Sequence, residues 1–254
     1  MKPATSLFIG MSWIALLAVA SPAWAQQPAA PPTLPPPAAR RIPNFPEPPA
    51  HATRAQENEY ERQRWNWAFT DSIWRRKRFN TQPNQLLVET VRGLKPGTAL
   101  DMGMGEGRNT VYLARLGWQA TGVDIADQAE AFAQARAKEA GVKITTVLHD
   151  GDTYDWGRNK WDLVLLCYGG GREHVQRALK SLKPGGLLVL EGFHHDADPD
   201  NKHGATGVTF GTNEIRDLYA AAGFRILRYE EPVGVADFSK ETVRLVKLVA
   251  QKPQ

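Results

Sequence analysis

Residues 99–124 read ALDMGMGEGRNTVYLARLGWQATGVD, and this stretch decides the fold. Thr98–Met102 predicts a short buried strand, and three glycines at alternate positions follow it as a loop. The apolar spacing over 108–116 then predicts a helix with one side packed on a sheet. A second strand over Gln119–Val123 ends on Asp124. This order is typical of a parallel α/β sheet.

The glycine loop and Asp124 together predict a nucleoside site. Glycines let the backbone approach a ligand closely at a helix N-terminus, where free N–H groups and the helix dipole favour an anion. An acid at the tip of the next strand is placed to accept hydrogen bonds from ribose hydroxyls. A dinucleotide fingerprint requires a glycine where Arg108 stands, which disfavours an NAD-dependent oxidoreductase. The expected ligand is a nucleoside that carries a carboxylate or a phosphate.

The pattern Asp101-x-Gly103-x-Gly105-x-Gly107 resembles motif I of the class I S-adenosylmethionine (SAM)-dependent methyltransferases. An ordinary glycine-rich turn needs neither the acid on the first strand nor the acid that ends the second. The resemblance implies that the loop receives the methionine end of SAM, that Asp124 holds the ribose, and that Asp150 or its rival Asp152 faces the adenine. The residues assigned to the cofactor are Asp101, Gly103, Gly105, Gly107, Asp124, Ile125, Asp150, Gly151 and Cys167.

The resemblance extends over the rest of the domain. Leu-Lys-Pro-Gly-Gly before an apolar strand, at 182–186, is a second hallmark of the family, and Trp161–Tyr168 is a continuous apolar run of the kind buried on both faces. We therefore predict an α/β fold: a three-layer α/β/α sandwich with a seven-stranded, mostly parallel sheet and a C-terminal antiparallel hairpin. The later strands are predicted at 142–148, 161–168, 187–191, 224–230 and 243–251, and the later helices at 128–140 (capped by Asp127), 172–182 and 213–222.

The N-terminal 50 residues have a different composition. Lys2 precedes a mostly apolar run, Leu7–Ala20, which is too short for a transmembrane helix, and Ala23-Trp24-Ala25 has the small-x-small pattern of a cleavage site. We expect export, to the periplasm, with cleavage after Ala25 and no stable membrane insertion afterwards; without a functional signal the chain would stay cytoplasmic. The predicted domains are a signal peptide (1–25), a Pro-rich linker (26–50), an N-terminal helical cap (51–92) and a methyltransferase domain (93–254).

The predicted cap combines charge with aromatic residues. Arg54–Phe69 predicts a helix, followed by a turn at Asp71–Trp74 and the basic run Arg75–Arg78. Basic residues among aromatic ones can bind nucleic acid, but a formal net charge of only +4 implies no strong field for phosphates. We expect the helix to lie over the cofactor cleft with the basic run as its solvated edge. The candidate pocket walls are Trp65, Trp67 and Trp74.

Acceptor-side groups should come from the ends of the fourth and fifth strands. This nominates Tyr168, His194 and His195 as catalytic residues, with the loop 193–211 as a lid. A base is needed only if the acceptor must lose a proton. The histidines and aspartates of this loop could form a metal site, but they lack a helical i, i+4 pair, so we predict none. The default interpretation is a simple polar loop, and a general base at His194 or His195 is the alternative.

Together these features predict a SAM-dependent methyltransferase with a small-molecule acceptor and no nucleic-acid partner, because little sequence remains for a recognition domain. Cys167, the only cysteine, is expected to be a buried residue beside the cofactor rather than a nucleophile. The export signal motivates an alternative, a SAM-fold nucleoside-binding or scaffold protein without catalysis, since SAM is made in the cytoplasm. The acceptor, the atom methylated and the oligomeric state are left open.

Overall fold

The central strand β1 (Thr98–Met102) is almost wholly buried and pairs in parallel with a strand on each side. The computed structural model describes residues 51–197, 208–237 and 240–254, so the predicted signal peptide and linker lie outside the described residues. The strands of this part of the chain are β1, β2 (Gln119–Asp124), β3 (Thr145–Leu148), β4 (Trp161–Cys167), β5 (Leu182–His194), β6 (Thr209–Phe210), β7 (Arg225–Glu230), β8 (Val233–Val235) and β9 (Thr242–Gln251).

The main sheet has the strand order β3-β2-β1-β4-β5-β9-β7. The first five of these strands are parallel, and β9 runs antiparallel to both β5 and β7. The short strand β6 pairs with the end of β5, and β8 pairs with β9. The predicted fold class, a mostly parallel sheet with an antiparallel C-terminal hairpin, is therefore confirmed.

Helices cover both faces of the sheet, which gives three layers. One face buries side chains of α3 and α4 against β1, β4 and β5, and the other buries α6 and α7 against the same strands. The helices of the described residues are α1 (Arg54–Thr70), α2 (Ser72–Arg78), α3 (Gln85–Val91), α4 (Arg108–Arg115), α5 (Asp127–Glu139), α6 (Val175–Ser181) and α7 (Glu214–Ala221).

Helix α1 packs on α5, so the N-terminal segment is attached to the sheet domain by an apolar contact. Ala68 and Phe69 of α1 are buried together with Ala126, Ala129 and the ring of Phe79. A capping box at Thr53 begins α1, since its hydroxyl accepts from the Gln56 N–H while the Gln56 side chain accepts from the Thr53 N–H. Within the described ranges, no helix combines the length and the apolar character needed to cross a bilayer.

Several predicted boundaries are wrong for local reasons. Ala126, not Asp127, occupies the cap position of α5, because the Asp127 carboxylate accepts hydrogen bonds from α1 instead. Asp71–Trp74 is not a turn, since Asp71 ends α1 and a second helix begins at Ser72. Residues 172–174 form a 3-10 turn before α6, and β5 starts five residues early because Leu182 already pairs with Trp161 across a register shift. The sequence analysis missed β6 and β8.

Candidate functional site

A cavity of about 700 Å³ opens at the carboxyl ends of β1, β2 and β4, where open α/β sheets place their ligands. Its floor is made by the ends of these strands and by the loops that follow them. Helix α1 and the residues around Phe79 cover it from the other side. Eight predicted site residues line it: Gly103, Gly105, Asp124, Ile125, Asp150, Gly151, Cys167 and Tyr168.

The glycine loop is tied to the neighbouring strand. The N–H groups of Gly103 and Met104 both donate to the Val123 carbonyl, at 2.9 and 3.1 Å, which places the loop beside the end of β2. Gly107 lies at the start of α4 with a φ of 73°, and a Cβ there would approach Ala133 of α5 to 2.7 Å. The third glycine therefore permits the close packing of two helices and does not line the cavity.

Asp124 is held by backbone donors on both carboxylate oxygens. Oδ2 accepts from the Gly105 N–H at 2.9 Å and Oδ1 from the Ala126 N–H at 3.0 Å. Burial raises the pKa of Asp124, and the hydrogen bonds from Ala126, Gly105 and Ile125 act in the opposite direction. Each oxygen keeps a lone pair, so the carboxylate can accept from two further hydroxyls without moving. This arrangement fits the pair of hydroxyls of a ribose.

Asp101 lies behind the loop and not at the cavity surface. It is buried, and its Oδ2 accepts from the Thr110 hydroxyl of α4 at 2.6 Å. Burial raises the pKa of Asp101 to about 7, although the Thr110 hydrogen bond favours the charged form. The structure thus shows Asp101 bracing the glycine loop against α4. A direct contact with the cofactor stays a prediction for this residue.

Helix α1 is joined to the predicted adenine end of the cavity by polar contacts. Asp150 Oδ2 accepts from Arg54 Nη2 and from Asn58 Nδ2, each at 2.9 Å, and Arg54 Nη2 also donates to Asp152 Oδ2 at 2.5 Å. Burial alone would raise the pKa of Asp150, but the hydrogen bond and charge of Arg54 lower it below its usual range. Asp150 therefore stays ionised, and Arg54 and Asn58 of α1 already occupy part of its capacity to accept hydrogen bonds.

Tyr168 and Cys167 form the end of β4. Tyr168 has a φ of 59°, and its hydroxyl donates to the buried Glu191 Oε1 at 2.5 Å while its ring packs on Phe193. The other oxygen of Glu191 lies 3.3 Å from Lys247 Nζ. Burial raises the pKa values of both the Tyr168 hydroxyl and the Cys167 thiol well above their ordinary values, so both groups keep their protons. The Tyr168 ring can form a wall of the cavity, but its hydroxyl is held by Glu191.

His194 and His195 do not line the cavity. His194 is buried on the opposite side of β5, where Nε2 lies 3.0 Å from the Thr212 hydroxyl and Nδ1 accepts from the Asp196 N–H at 3.2 Å. His195 is exposed on a 3-10 turn. The structure corrects the expectation that both histidines face the acceptor, and their catalytic role stays a prediction without geometric support. Residues 198–207 of the predicted lid lie outside the described residues.

His174, which the sequence analysis did not nominate, does line the cavity. His174 is 3% exposed, and its ring packs against Trp156 at a tilt of 49°, with centroids 5.1 Å apart. Nε2 lies 3.4 Å from Glu173 Oε1 and 3.7 Å from Asp152 Oδ1. Burial lowers the pKa of His174, and the two carboxylates act against that shift. The sequence feature that could have identified His174 is its position three residues after Gly169–Gly171, on the loop that follows β4.

The aromatic wall of the cavity comes from the N-terminal segment. Trp65 and Phe69 of α1 line it together with Phe79, and the Phe69 ring lies opposite Gly105. Trp67 belongs to the same apolar cluster but does not line the cavity, and the Trp74 side chain lies outside what the structure describes. The wall places flat apolar surface against the glycine loop.

Comparison with known proteins shows which family the chain resembles. A family model described as "Methyltransferase domain" matches residues 99–186, from β1 to the start of the apolar part of β5. The probable SAM-dependent methyltransferase TehB of Haemophilus influenzae is 26% identical over 181 residues, which are 68% of this chain and 62% of that relative. The chain resembles the SAM-dependent methyltransferases. It spans less than two thirds of the length of the TehB sequence that it matches.

Solved structures agree on the fold of this chain. The crystal structure of the [4+2]-cyclase SpnF has a TM-score of 0.61 at 18% identity, with 81% of this chain and 98% of that one covered. The 1,6-didemethyltoxoflavin-N1-methyltransferase of Burkholderia thailandensis, solved with S-adenosylhomocysteine, has a TM-score of 0.59 at 18% identity over 82% and 94% of the two chains. One of these two neighbours is named for a different reaction, so the fold alone does not establish methyl transfer.

Proposed function

We propose that this protein transfers a methyl group from SAM to a small-molecule acceptor bound in the same cavity. One observation carries the proposal: Asp124, fixed by the backbone N–H groups of Gly105 and Ala126, faces a cavity that the glycine loop and Tyr168 also line. The similarity to SAM-dependent methyltransferases indicates the cofactor. The small-molecule acceptor and the exclusion of nucleic acid follow from the size and charge of the cavity.

The residues present fit SAM. Asp124 would accept from the ribose hydroxyls, Ile125 would lie beside the adenine, and the loop from Gly103 to Gly105 would cradle the methionine end. SAM, when bound, supplies an electrophilic methyl group on a sulfonium. The protein then has to align the acceptor and exclude water, because an in-line displacement needs little covalent help. The aromatic wall of α1 and the ring of Tyr168 are placed to exclude water.

Tyr168 does not fit the role of a general base. Its hydroxyl already donates to Glu191, and burial raises its pKa, so it cannot remove a proton from an acceptor near neutral pH. We assign it a positioning role: the 59° φ angle turns its ring toward the cavity, and Glu191 fixes the ring's far end. A Tyr168→Phe variant should therefore bind SAM like the wild type.

The size and charge of the cavity favour a small molecule. Ligand pockets commonly hold about 300–1,000 Å³, so 700 Å³ leaves room for a nucleoside and a small acceptor but not for a folded polymer. Seven carboxylates line the cavity against two guanidinium groups, Arg54 and Arg108. Such a wall repels the phosphates of a nucleic acid, whose binding depends on basic contacts.

Calorimetric titration of SAM and S-adenosylhomocysteine tests the proposal. Wild type and the Asp217→Asn control, which changes an exposed carboxylate on α7, should bind equally well. Asp124→Asn should weaken binding by about 10- to 150-fold, because a hydrogen bond to a charged group contributes about 1.5–3 kcal/mol. No binding by the wild type, or equal binding by Asp124→Asn, would overturn the proposal. Formation of S-adenosylhomocysteine against a panel of small acceptors then separates an enzyme from a binding protein.

We also propose that the protein is exported and cleaved after Ala25. The support lies in the sequence alone: Lys2, the apolar run Leu7–Ala20 and the small residues of Ala23-Trp24-Ala25. N-terminal sequencing of the protein from a periplasmic fraction should give Gln26 as the first residue. A chain that keeps Met1 and fractionates with the cytoplasm would contradict this proposal and leave the methyltransferase proposal intact.

A further inference from the structure

Three side chains with metal-ligand chemistry meet at one corner of the cavity. Asp152 comes from the loop after β3, and Glu173 and His174 come from the 3-10 turn after β4. One oxygen or nitrogen atom of each lies within 4.8 Å of the corresponding atoms of the other two. All three residues line the cavity, so an ion held between them would be accessible from it.

His174 is the residue that distinguishes this corner from an ordinary acidic patch. It is 3% exposed, and its Nδ1 has no hydrogen-bond partner among the described residues. Nε2 points between two carboxylate oxygens, at 3.4 and 3.7 Å. The candidate ligand atom is therefore Nε2, which faces the carboxylates, and not the buried Nδ1. A neutral imidazole offers a lone pair to a cation from this position.

Gly170 keeps the space around the ring nitrogen open. It has a φ of 101°, and a Cβ there would lie 2.4 Å from Glu173 Oε1 and 2.6 Å from His174 Nε2. Any other residue would therefore push into the gap between the imidazole and the carboxylate. The backbone is thus arranged so that both ligand atoms remain available to a third group.

We propose that Asp152, Glu173 and His174 bind a divalent first-row transition cation such as Mn²⁺ or Zn²⁺. Mixed imidazole and carboxylate ligands suit these ions, and three protein ligands leave positions open toward the cavity. The open positions could be filled by water or by an oxygen atom of an acceptor. The cation site is a property of this chain that does not depend on methyl transfer, so it can be tested without SAM.

Arg54 opposes the cation and provides a test of opposite sign. Its guanidinium donates a hydrogen bond to Asp152 Oδ2, while Asp152 Oδ1 is the atom that faces His174. A positive charge on one oxygen lowers the affinity of the other for a cation. Arg54→Gln should therefore bind the cation severalfold more tightly than the wild type, whereas loss of any ligand should weaken binding.

The experiment titrates the metal-free protein separately with Mn²⁺, Co²⁺ and Zn²⁺ by calorimetry and follows the visible absorption of bound Co²⁺. Wild type should bind one equivalent. Asp152→Asn, Glu173→Gln and His174→Gln should each lose at least about tenfold in affinity, since even residues that only support ligands contribute about 10- to 100-fold. Asp155→Asn, the same charge change on an exposed residue of the same loop, should bind as the wild type does.

Circular dichroism of each variant verifies the fold. The inference is overturned if the wild type takes up none of the three ions, if the ligand variants bind as well as the wild type, or if Asp155→Asn loses as much as they do. Weaker binding by Arg54→Gln would also count against it. SAM binding measured on the same samples keeps a failure of this site distinguishable from a failure of the proposed function.

Discussion

Two buried histidines occupy similar surroundings at the ends of two neighbouring strands, and only one of them lines the cavity. His174 follows β4 and His194 ends β5; they are 3% and 2% exposed, and each has two carboxylates within 3.7 Å. His194 has both ring nitrogens occupied: because Nδ1 accepts from the Asp196 N–H, the proton lies on Nε2 and is donated to Thr212. His174 has an unoccupied Nδ1.

The difference shows that burial and acidic neighbours do not by themselves indicate function. Around His194, Arg244 donates to both Asp196 and Glu231, at 2.9 and 2.6 Å, so the cluster joins β9 to the segments on either side of it. Every strong group there has a partner, as expected of a structural brace. Around His174, the buried Nδ1 has no partner, and Nε2 faces two carboxylate oxygens of residues that line the cavity. A buried polar side chain that lines a cleft and lacks hydrogen-bond partners is the better indicator of function.

The largest effect is expected from adding one methyl group beside His174. Gly170→Ala should lower the free energy of unfolding by about 2–5 kcal/mol: about 1–2 for a side chain at positive φ and about 1–3 for crowding against the Glu173 carboxylate and the buried imidazole. Equilibrium urea unfolding measures the loss.

Gly223→Ala is the matched control for that substitution. Gly223 has the same φ of 101°, but nothing lies within 4 Å of a Cβ placed there. It should cost only the conformational part, about 1–2 kcal/mol. Equal losses in the two variants would mean that Glu173 and His174 can move away from the added methyl group. His174 would then not be held in a fixed position, and the contrast with the rigidly held His194 would weaken.

A smaller difference is expected when each histidine is replaced by glutamine in the presence of EDTA. His194→Gln breaks at least one hydrogen bond in a filled network and should cost about 1–3 kcal/mol. His174→Gln loses the ring contact with Trp156, about 0.5–1.5 kcal/mol, but also removes an unsatisfied nitrogen, so the net cost should stay below about 1 kcal/mol. A larger loss of unfolding free energy at His174 than at His194 would contradict the interpretation of His194 as the structural brace and His174 as the open site.

The first βαβ unit was predictable because its signals are local. Glycines, an acid at each strand end and helical spacing all fall within 26 residues, and the structure places β1, α4 and β2 within one residue of the prediction at each end. The mouth of the cavity follows from this, since parallel strands bring their carboxyl ends to one edge. Gly107 was assigned to the ligand because sequence does not show that Ala133 lies against it.

The two histidines were not predictable for different reasons. His194 was placed correctly at the end of β5, but side chains alternate along a strand, so it points away from the face that carries Glu191 and Phe193 beside Tyr168. Asp152 and His174 meet although β3 and β4 are separated by two strands in the sheet. The loop after β3 runs along the carboxyl edge of the sheet, and Arg177 fixes it by donating a hydrogen bond to the Gly151 carbonyl. The spacing of residues in the sequence does not predict this contact.

The smallest expected effect concerns the pH dependence of the His194 brace. Burial and then the charge of Arg244 lower the pKa of His194, against the opposing influence of Asp196 and Glu231. Below about pH 6.5 the unfolded chain therefore binds a proton that the folded chain resists, so this histidine makes the wild type lose stability as the pH falls. The His194→Gln variant has no such histidine, so its stability does not fall with pH for this reason. The difference in the free energy of unfolding between the wild type and this variant should therefore narrow by about 1 kcal/mol or less between pH 7.5 and 5.5. Urea unfolding at both pH values measures the gap. His149→Gln, which changes an exposed histidine after the edge strand β3, should show no comparable narrowing of its difference from the wild type. A gap that widens toward acid would mean that Asp196 and Glu231 hold a protonated His194, and the brace would then be an ion pair rather than a neutral network.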